Sequence, residues 1–136
     1  MSTNWVQDIK EMHEQFGVNP VVRNFDRDKL VAFVNFRLDF LQEELNEARI
    51  GGNEGLVDAL IDLCVVAIGT LNALDVDPYV AWDRVHACNM IKKVGIKPSR
   101  PNPLNMPDLI KPPGWKSPEH GDNIGLLVKL SEKSQS

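Results

Sequence analysis

The feature that most limits how this chain can fold is a pair of apolar segments that carry acidic side chains at helical spacing. The first, FLQEELNEAR, covers residues 40–49, and the second, VDALIDLCVV, covers residues 57–66 after a short glycine-containing loop. Because a helix turns by about 100° per residue, side chains three or four positions apart share a face. The pairs that share a face are Glu44 with Glu47, Glu43 with Glu47, and Asp58 with Asp62. The short loop makes the two helices antiparallel neighbours, so the acids of both are predicted to lie close together.

The surroundings of these acids favour a role in binding cations. The helix face of Glu44 and Glu47 continues through Phe40, and Asp62 lies within a run of aliphatic residues. Carboxylates that interrupt an apolar surface lose hydration on burial and repel one another, unless a positive charge compensates. Ligand sets made only of oxygen suit hard cations, so the pattern favours Mg²⁺, with Mn²⁺ as a substitute, over Zn²⁺. The acids that could hold such a cation are Glu43, Glu44, Glu47, Asp58 and Asp62.

Simpler interpretations of the same residues stand beside this one. An EExxE sequence alone is more often a solvated helix face, and Asp58 alone could cap a helix or form an ion pair. The main alternative function is a non-catalytic helical module that binds a protein partner through its acidic face or through the proline-rich arm described below. A di-iron bundle would need Glu-x-x-His pairs, and no histidine follows these acids at that spacing.

Composition places the chain among ordinary globular proteins of a single domain. It has 136 residues, of which 43% are hydrophobic and 25% are charged. The net charge of −4 argues against binding to nucleic acid, which requires a basic surface. Cys64 and Cys88 both fall in predicted helices, which favours a reducing cytoplasm over a disulfide scaffold. Residues 56–74 are apolar but interrupted by polar side chains, which predicts a core helix and no membrane association.

Hydrophobic periodicity and helix-stop residues predict four long helices. Their predicted bounds are residues 4–16, 27–49, 53–74 and 78–94, with Asp26 or Asp28 as cap of the second and Asn53 as cap of the third. Seven of the nine prolines lie between Pro98 and Pro118, which predicts an irregular arm. A short last helix is expected at residues 124–130, followed by a loose terminus at 131–136.

These elements predict an all-α fold with an antiparallel four-helix bundle-like core, a proline-rich C-terminal arm and a short last helix. Residues 1–95 are expected to form the helical, function-bearing domain. Residues 96–136 are expected to be part of the same domain or of an oligomer interface.

The combined motifs resemble a known superfamily. An EExxE helix, an acidic pair on the next helix and a following helix with an N-x-x-K tail resemble the all-α nucleoside triphosphate pyrophosphohydrolases. That superfamily includes MazG, the dimeric dUTPases and phosphoribosyl-ATP pyrophosphohydrolase. The likeness covers about residues 33–93, and the tail VHACNMIKK with the later KPPGW is similar to small MazG-like proteins of phages and bacteria.

The resemblance implies Mg²⁺-dependent hydrolysis of a (deoxy)nucleoside triphosphate to the monophosphate and pyrophosphate, with dGTP as the leading substrate. The family pattern E-x-x-E followed by E-x-x-D maps onto Glu44, Glu47 and Asp62, but its third ligand would fall on Ala59. Asp58 is the preferred replacement, and Glu43 is the other candidate.

The same resemblance implies the remaining roles in the site. The carboxylates expected to accept a proton are Glu43 and Glu44. The residues expected to bind substrate are Asn89, Lys92, Lys93, Arg84 and Phe40. Because family members act as dimers or tetramers, we expect a homotetramer or a homodimer in which the arm contacts a neighbouring subunit.

Overall fold

Helices dominate residues 1–131, the part of the chain that the computed structural model describes. The elements are α1 (Trp5–Phe16), α2 (Val18–Arg23), α3 (Arg27–Ile50), α4 (Gly52–Ala73), α5 (Pro78–Met90), β1 (Lys93–Gly95), β2 (Asp108–Ile110) and a 3₁₀ helix (Gly125–Ser131). The all-α fold class is confirmed. Most of the terminus expected to be loose, from residue 132 on, lies outside the described residues.

Two compact units make up the chain. The first contains Met1–Pro78 and the segment that begins at Asp122, and the second contains Tyr79–Gly121. The predicted domain division at residue 95 stays a prediction.

The hairpin of α3 and α4 is the centre of the first unit. The Asp26 carboxylate caps α3 by accepting a hydrogen bond from the Lys29 backbone N–H at 2.9 Å. At the turn, a Cβ on Gly51 would lie 2.9 Å from both the Glu47 carbonyl oxygen and the Gly55 Cα, so only glycine fits. The prediction of Asn53 as cap of α4 was wrong, because the helix begins at Gly52 without a side-chain cap. The tight turn holds the two helices antiparallel.

The buried core lies at the end of this hairpin that is farthest from the turn. Its buried residues are Val22, Leu30, Ala73, Leu74 and Val76. Val22 comes from α2, which contains Pro20 and lies outside the four predicted helices. Proline is tolerated in the first turn of a helix, where its missing N–H has no partner to lose. The 3₁₀ helix packs Leu126, Leu127 and Leu130 against this core.

Helix α4 is long and apolar enough to cross a membrane by length and composition alone. In the structure it packs against α1, α2 and α3 instead. Near its N-terminus, large side chains remain exposed on the side away from the core: Leu56, Val57, Leu60 and Ile61. A single chain therefore leaves an apolar surface on α4 uncovered.

The second unit joins α5 to a small antiparallel sheet. The prediction that this helix reaches residue 94 was wrong, because α5 ends at Met90 and Lys93–Gly95 pairs with Asp108–Ile110. A Cβ at Gly95 would lie 2.6 Å from the Ile110 side chain, so a larger residue there would require the Ile110 side chain to move. The rest of the proline-rich arm contains no other strand or helix between residues 96 and 121.

Candidate active site

A buried carboxylate on α3 is the centre of the candidate site. Glu44 is only 8% exposed, and its Oε2 atom has no hydrogen-bond partner among the described residues. Burial raises the pKa of Glu44 above its ordinary value, and the negative charges of Glu47 and Asp62 raise that pKa further. A hydrogen bond to Glu47 and the negative charge of Glu43 act in the same direction. The structure thus holds an acid where its ionised form is disfavoured.

The acids around Glu44 come from both helices of the hairpin. Glu43 and Glu47 lie on α3 and are exposed, whereas Asp62 lies on α4 and is half-buried. The antiparallel packing of α4 on α3 brings Asp62 close enough to act on the pKa of Glu44. These four acids are therefore neighbours, and their assignment as ligands or proton acceptors stays a prediction.

Asp58 lies apart from this group. It is exposed and lines an open depression with Asn53, Glu54, Val57 and Ile61. Ala59, the position of the family's third ligand, is buried. A side chain at residue 58 is rotated by about 100° from the buried direction of residue 59. Asp58 is not among the acids that act on Glu44, and its role as third ligand stays a prediction.

The donor set fits a hard divalent cation. Glu44 supplies a buried, unpartnered carboxylate oxygen, and its charged neighbours are carboxylates as well. Within residues 1–131, no group of three or more histidine, cysteine, aspartate or glutamate side chains is already arranged to hold an ion. The chemistry of the donors therefore suits a hard cation, whereas the described structure does not place three of them around one point.

An aromatic and cationic group lies on α3 beside the acids. Phe40, one turn before Glu44, is half-buried and meets Phe36 edge-on at 6.4 Å between ring centroids. The Arg37 guanidinium lies 5.7 Å from the centroid of the Phe40 ring. Arg37 also donates hydrogen bonds to Thr70 Oγ1 at 2.9 Å and to the Val66 carbonyl at 3.1 Å.

Arg37 was missed as a candidate by the sequence analysis. Burial lowers the pKa of Arg37, and among the described residues no carboxylate pairs with it. Its signal in the sequence is a single basic residue inside an apolar stripe between Phe33 and Leu41.

The predicted substrate-binding residues of the second unit have different environments. Arg84 donates a hydrogen bond from Nη1 to the Glu119 carbonyl at 3.1 Å. Lys92 Nζ lies 5.2 Å from the centroid of the Trp115 ring. Asn89 and Lys93 are exposed, and the Asn89 carbonyl accepts a hydrogen bond from the Lys92 backbone N–H at 3.1 Å. Their roles in binding substrate stay predictions.

The fold is an all-α helical hairpin, and its site is a group of carboxylates around a buried glutamate, a chemistry that suits divalent cations. A family model described as phosphoribosyl-ATP pyrophosphohydrolase matches residues 10–89, more than half of the chain. The chain therefore belongs to this family, which is related to the MazG-like all-α nucleoside triphosphate pyrophosphohydrolases, and the resemblance is confirmed. Comparisons with curated proteins and with solved structures gave no match.

Membership in this family indicates a nucleotide pyrophosphohydrolase, and so an enzyme. The family is generally dependent on divalent metals. The matched range contains the acids of α3 and α4 and ends at Asn89, so it excludes the proline-rich arm. A purely structural interaction module is disfavoured by the same match.

Proposed function

We propose that this protein hydrolyses a (deoxy)nucleoside triphosphate to the nucleoside monophosphate and pyrophosphate, using Mg²⁺ or, as a substitute, Mn²⁺. One observation carries the proposal: in a chain of this family, Glu44 is buried with an unpartnered Oε2 among three other acids. The deoxynucleotide dGTP is the leading substrate. The family's description names phosphoribosyl-ATP, which makes that nucleotide the second candidate.

The residues that would hold the cation are Glu44, Glu47 and Asp62, with Asp58 or Glu43 as a further ligand. A triphosphate carries about four negative charges and cannot approach this group of carboxylates unless cations lie between them. When bound, a divalent cation supplies neutralisation of those charges and activation of water for attack on phosphorus.

Other side chains would orient the substrate and receive the proton. Glu43 is exposed beside Glu44, and its carboxylate is available to accept the proton of the attacking water. Phe40 presents a half-buried aromatic ring one turn before the acids, suitable for contact with a base. Asn89 and Lys92 would bind phosphate oxygens, as the family resemblance implies, with Lys93 and Arg84 as further candidates.

A substrate panel tests the reaction. The protein is incubated with each deoxynucleoside and ribonucleoside triphosphate, and with phosphoribosyl-ATP, in the presence of MgCl₂, and the products are separated by chromatography. We expect a nucleoside monophosphate and pyrophosphate, no product in EDTA, and recovery with Mg²⁺ or Mn²⁺. Release of a diphosphate and orthophosphate would assign the protein to another class of hydrolase.

Charge-removing variants test the site. Glu47→Ala and Asp62→Ala should each lower kcat by about 100-fold or more, because each removes a carboxylate beside Glu44. Asp39→Ala is the matched control: it removes an exposed acid from α3 that does not act on Glu44, and it should retain near-normal turnover. All three should keep the helical circular dichroism of the wild type. Full activity in both site variants would reject this site.

We propose further that the protein is a cytoplasmic homodimer or homotetramer, assembled through the exposed apolar side of α4. A surface with Val57 65% exposed and Leu60 50% exposed favours association when it is contiguous. Light scattering on the purified protein should give the mass of two or four chains. Val57→Glu should lower that mass, whereas Val21→Glu, at an exposed valine on α2, should not. A monomeric wild type would contradict the assembly.

A further inference from the structure

The second unit brings two ammonium groups to one indole ring. Lys92 Nζ lies 5.2 Å and Lys111 Nζ lies 5.0 Å from the centroid of the Trp115 ring. The two nitrogens are therefore at most about 10 Å apart, a distance at which like charges still repel. Within residues 1–131 neither lysine forms an ion pair with a carboxylate. Asp108, the acid of the neighbouring strand β2, is already paired with Arg100.

The indole ring that both lysines approach is held in place. The Trp115 Nε1–H donates a hydrogen bond to the Cys88 carbonyl at 2.8 Å, and the Trp115 backbone N–H donates to the Pro112 carbonyl at 3.0 Å. The turn that precedes it contains two prolines and Gly114, whose φ of +80° suits glycine. Trp115 is thus a half-buried, well-held ring approached by two lysine ammonium groups, neither of which forms an ion pair with a carboxylate within the described residues.

We propose that Lys92, Lys111 and Trp115 form a binding site for a polyphosphate anion. The ligand is either the phosphate chain of the substrate or free pyrophosphate, and this choice of ligand class rests on the proposed function. Lysine ammonium groups bind phosphate as point charges, and an anion shared between them relieves their mutual repulsion. All three residues lie outside the family-matched range of residues 10–89.

A protein with Trp115 as its single tryptophan allows a direct test. Trp5 and Trp82 are 57% and 73% exposed, so Trp5→Phe and Trp82→Phe should be tolerated. Trp115 emission is then followed at constant ionic strength, without divalent metal, during titration with sodium pyrophosphate. Separate titrations use a non-hydrolysable deoxynucleoside triphosphate and the deoxynucleoside without phosphate.

We expect a saturable change in emission with the phosphate-bearing ligands and none with the deoxynucleoside. Lys111→Gln should weaken the apparent affinity by about tenfold, because it removes one of the two charges. Lys116→Gln is the matched control: it removes the same charge one residue from Trp115, at an exposed lysine that makes no ring contact in the described structure. It should change the affinity by less than about twofold.

The titrations identify the ligand of the proposed site or reject the site. Binding of the triphosphate analogue alone identifies the substrate as the ligand, and binding of pyrophosphate as well includes the product. No saturable change, or equal weakening by Lys111→Gln and Lys116→Gln, would overturn the site. Turnover of the unmodified protein is measured in parallel, so an inactive enzyme with intact pyrophosphate binding would reject the proposed hydrolysis and leave this site standing.

Discussion

A methyl group added at Gly125 should disrupt the docking of the C-terminal 3₁₀ helix. Gly125 has φ of +52°, a left-handed conformation that alanine rarely adopts. Its Cβ would overlap the Leu74 carbonyl oxygen and lie 2.7 Å from the carbonyl carbon of Asp75. Both neighbours are backbone atoms, so the strain cannot be relieved by rotating a side chain. The 3₁₀ helix has to move away from the end of α4.

Three contributions give the expected loss of stability. The left-handed conformation costs alanine about 1–2 kcal/mol. Displacement breaks the hydrogen bond from the Leu126 N–H to the Leu74 carbonyl, which measures 2.7 Å, at about 1 kcal/mol. Partial exposure of the 3₁₀ leucines that pack on the core costs about 1–2 kcal/mol more. Gly125→Ala should therefore lower the free energy of unfolding by about 3–5 kcal/mol, a large share of the stability of a small domain.

Urea unfolding followed by circular dichroism measures this loss, and two other glycines of the same unit calibrate it. Gly17 has φ of +66° with no atom within 4 Å of an added Cβ, so Gly17→Ala should cost only the conformational part, about 1–2 kcal/mol. Gly55, inside α4, has neither feature, and Gly55→Ala should stabilise by about 0.5–1 kcal/mol. If Gly125→Ala costs no more than Gly17→Ala, the tight docking of the 3₁₀ helix is refuted.

Three further predictions follow from the acids and from a helix cap. The folded state raises the pKa of Glu44 above its ordinary value near 4.5. In EDTA the wild type should therefore lose stability as the pH rises from the ordinary pKa of the carboxyl to the raised pKa of the folded state. In urea titrations Glu44→Gln should be the more stable protein at neutral pH, and the difference should vanish below about pH 4.5. Mg²⁺ should raise the melting temperature of the wild type at neutral pH and raise that of Glu44→Gln less, as measured by scanning calorimetry. Asp26→Ala should lower the unfolding free energy by about 1 kcal/mol, because it removes the cap of α3, whereas Asp28→Ala should change it by less than half as much.

The hairpin of α3 and α4 was predictable because its signals are local. The apolar periodicity predicted both helices, and the glycine pair at residues 51 and 52 predicted the turn between them. The predicted bounds of both helices therefore agree with the observed bounds within one residue at each end. The sequence alone did not show whether Asp26 or Asp28 caps α3. It depends on backbone geometry, since residue 26 is extended and residue 28 is already inside the helix.

The small sheet could not be predicted from the same kind of signal. β1 has three residues and follows α5 directly, so it is too short to show an alternating pattern. Its partner β2 lies in a proline-rich arm, and the pairing depends on a contact between residues far apart in sequence. Helix α2 was missed for a related reason: six residues that include a proline resemble a turn until Val22 is seen to be buried.

Within the candidate site, the sequence predicted which helices contribute acids but not which acids meet. Asp58 and Asp62 share a helix face by spacing, and both were predicted as metal ligands. The rotation of α4 about its axis gives them different environments, because it buries Ala59, leaves Asp62 half-buried near Glu44 and leaves Asp58 exposed. That rotation is set by packing over the whole length of α4, which no local motif records.

The hairpin also keeps its buried carboxyl group, Glu44, apart from its half-buried guanidinium, Arg37. Arg37 lies seven residues before Glu44 on α3, about 10 Å along the helix axis, and its guanidinium is bound to Thr70 and Val66 of α4. Neither the pKa of Arg37 nor that of Glu44 is affected by the other charge. A chain selected for stability alone would pair these groups or replace both with apolar residues, since an unpaired buried charge destabilises a fold. Glu44 Oε2 has no hydrogen-bond partner within the described residues, and this is the observation on which the proposed cation site rests.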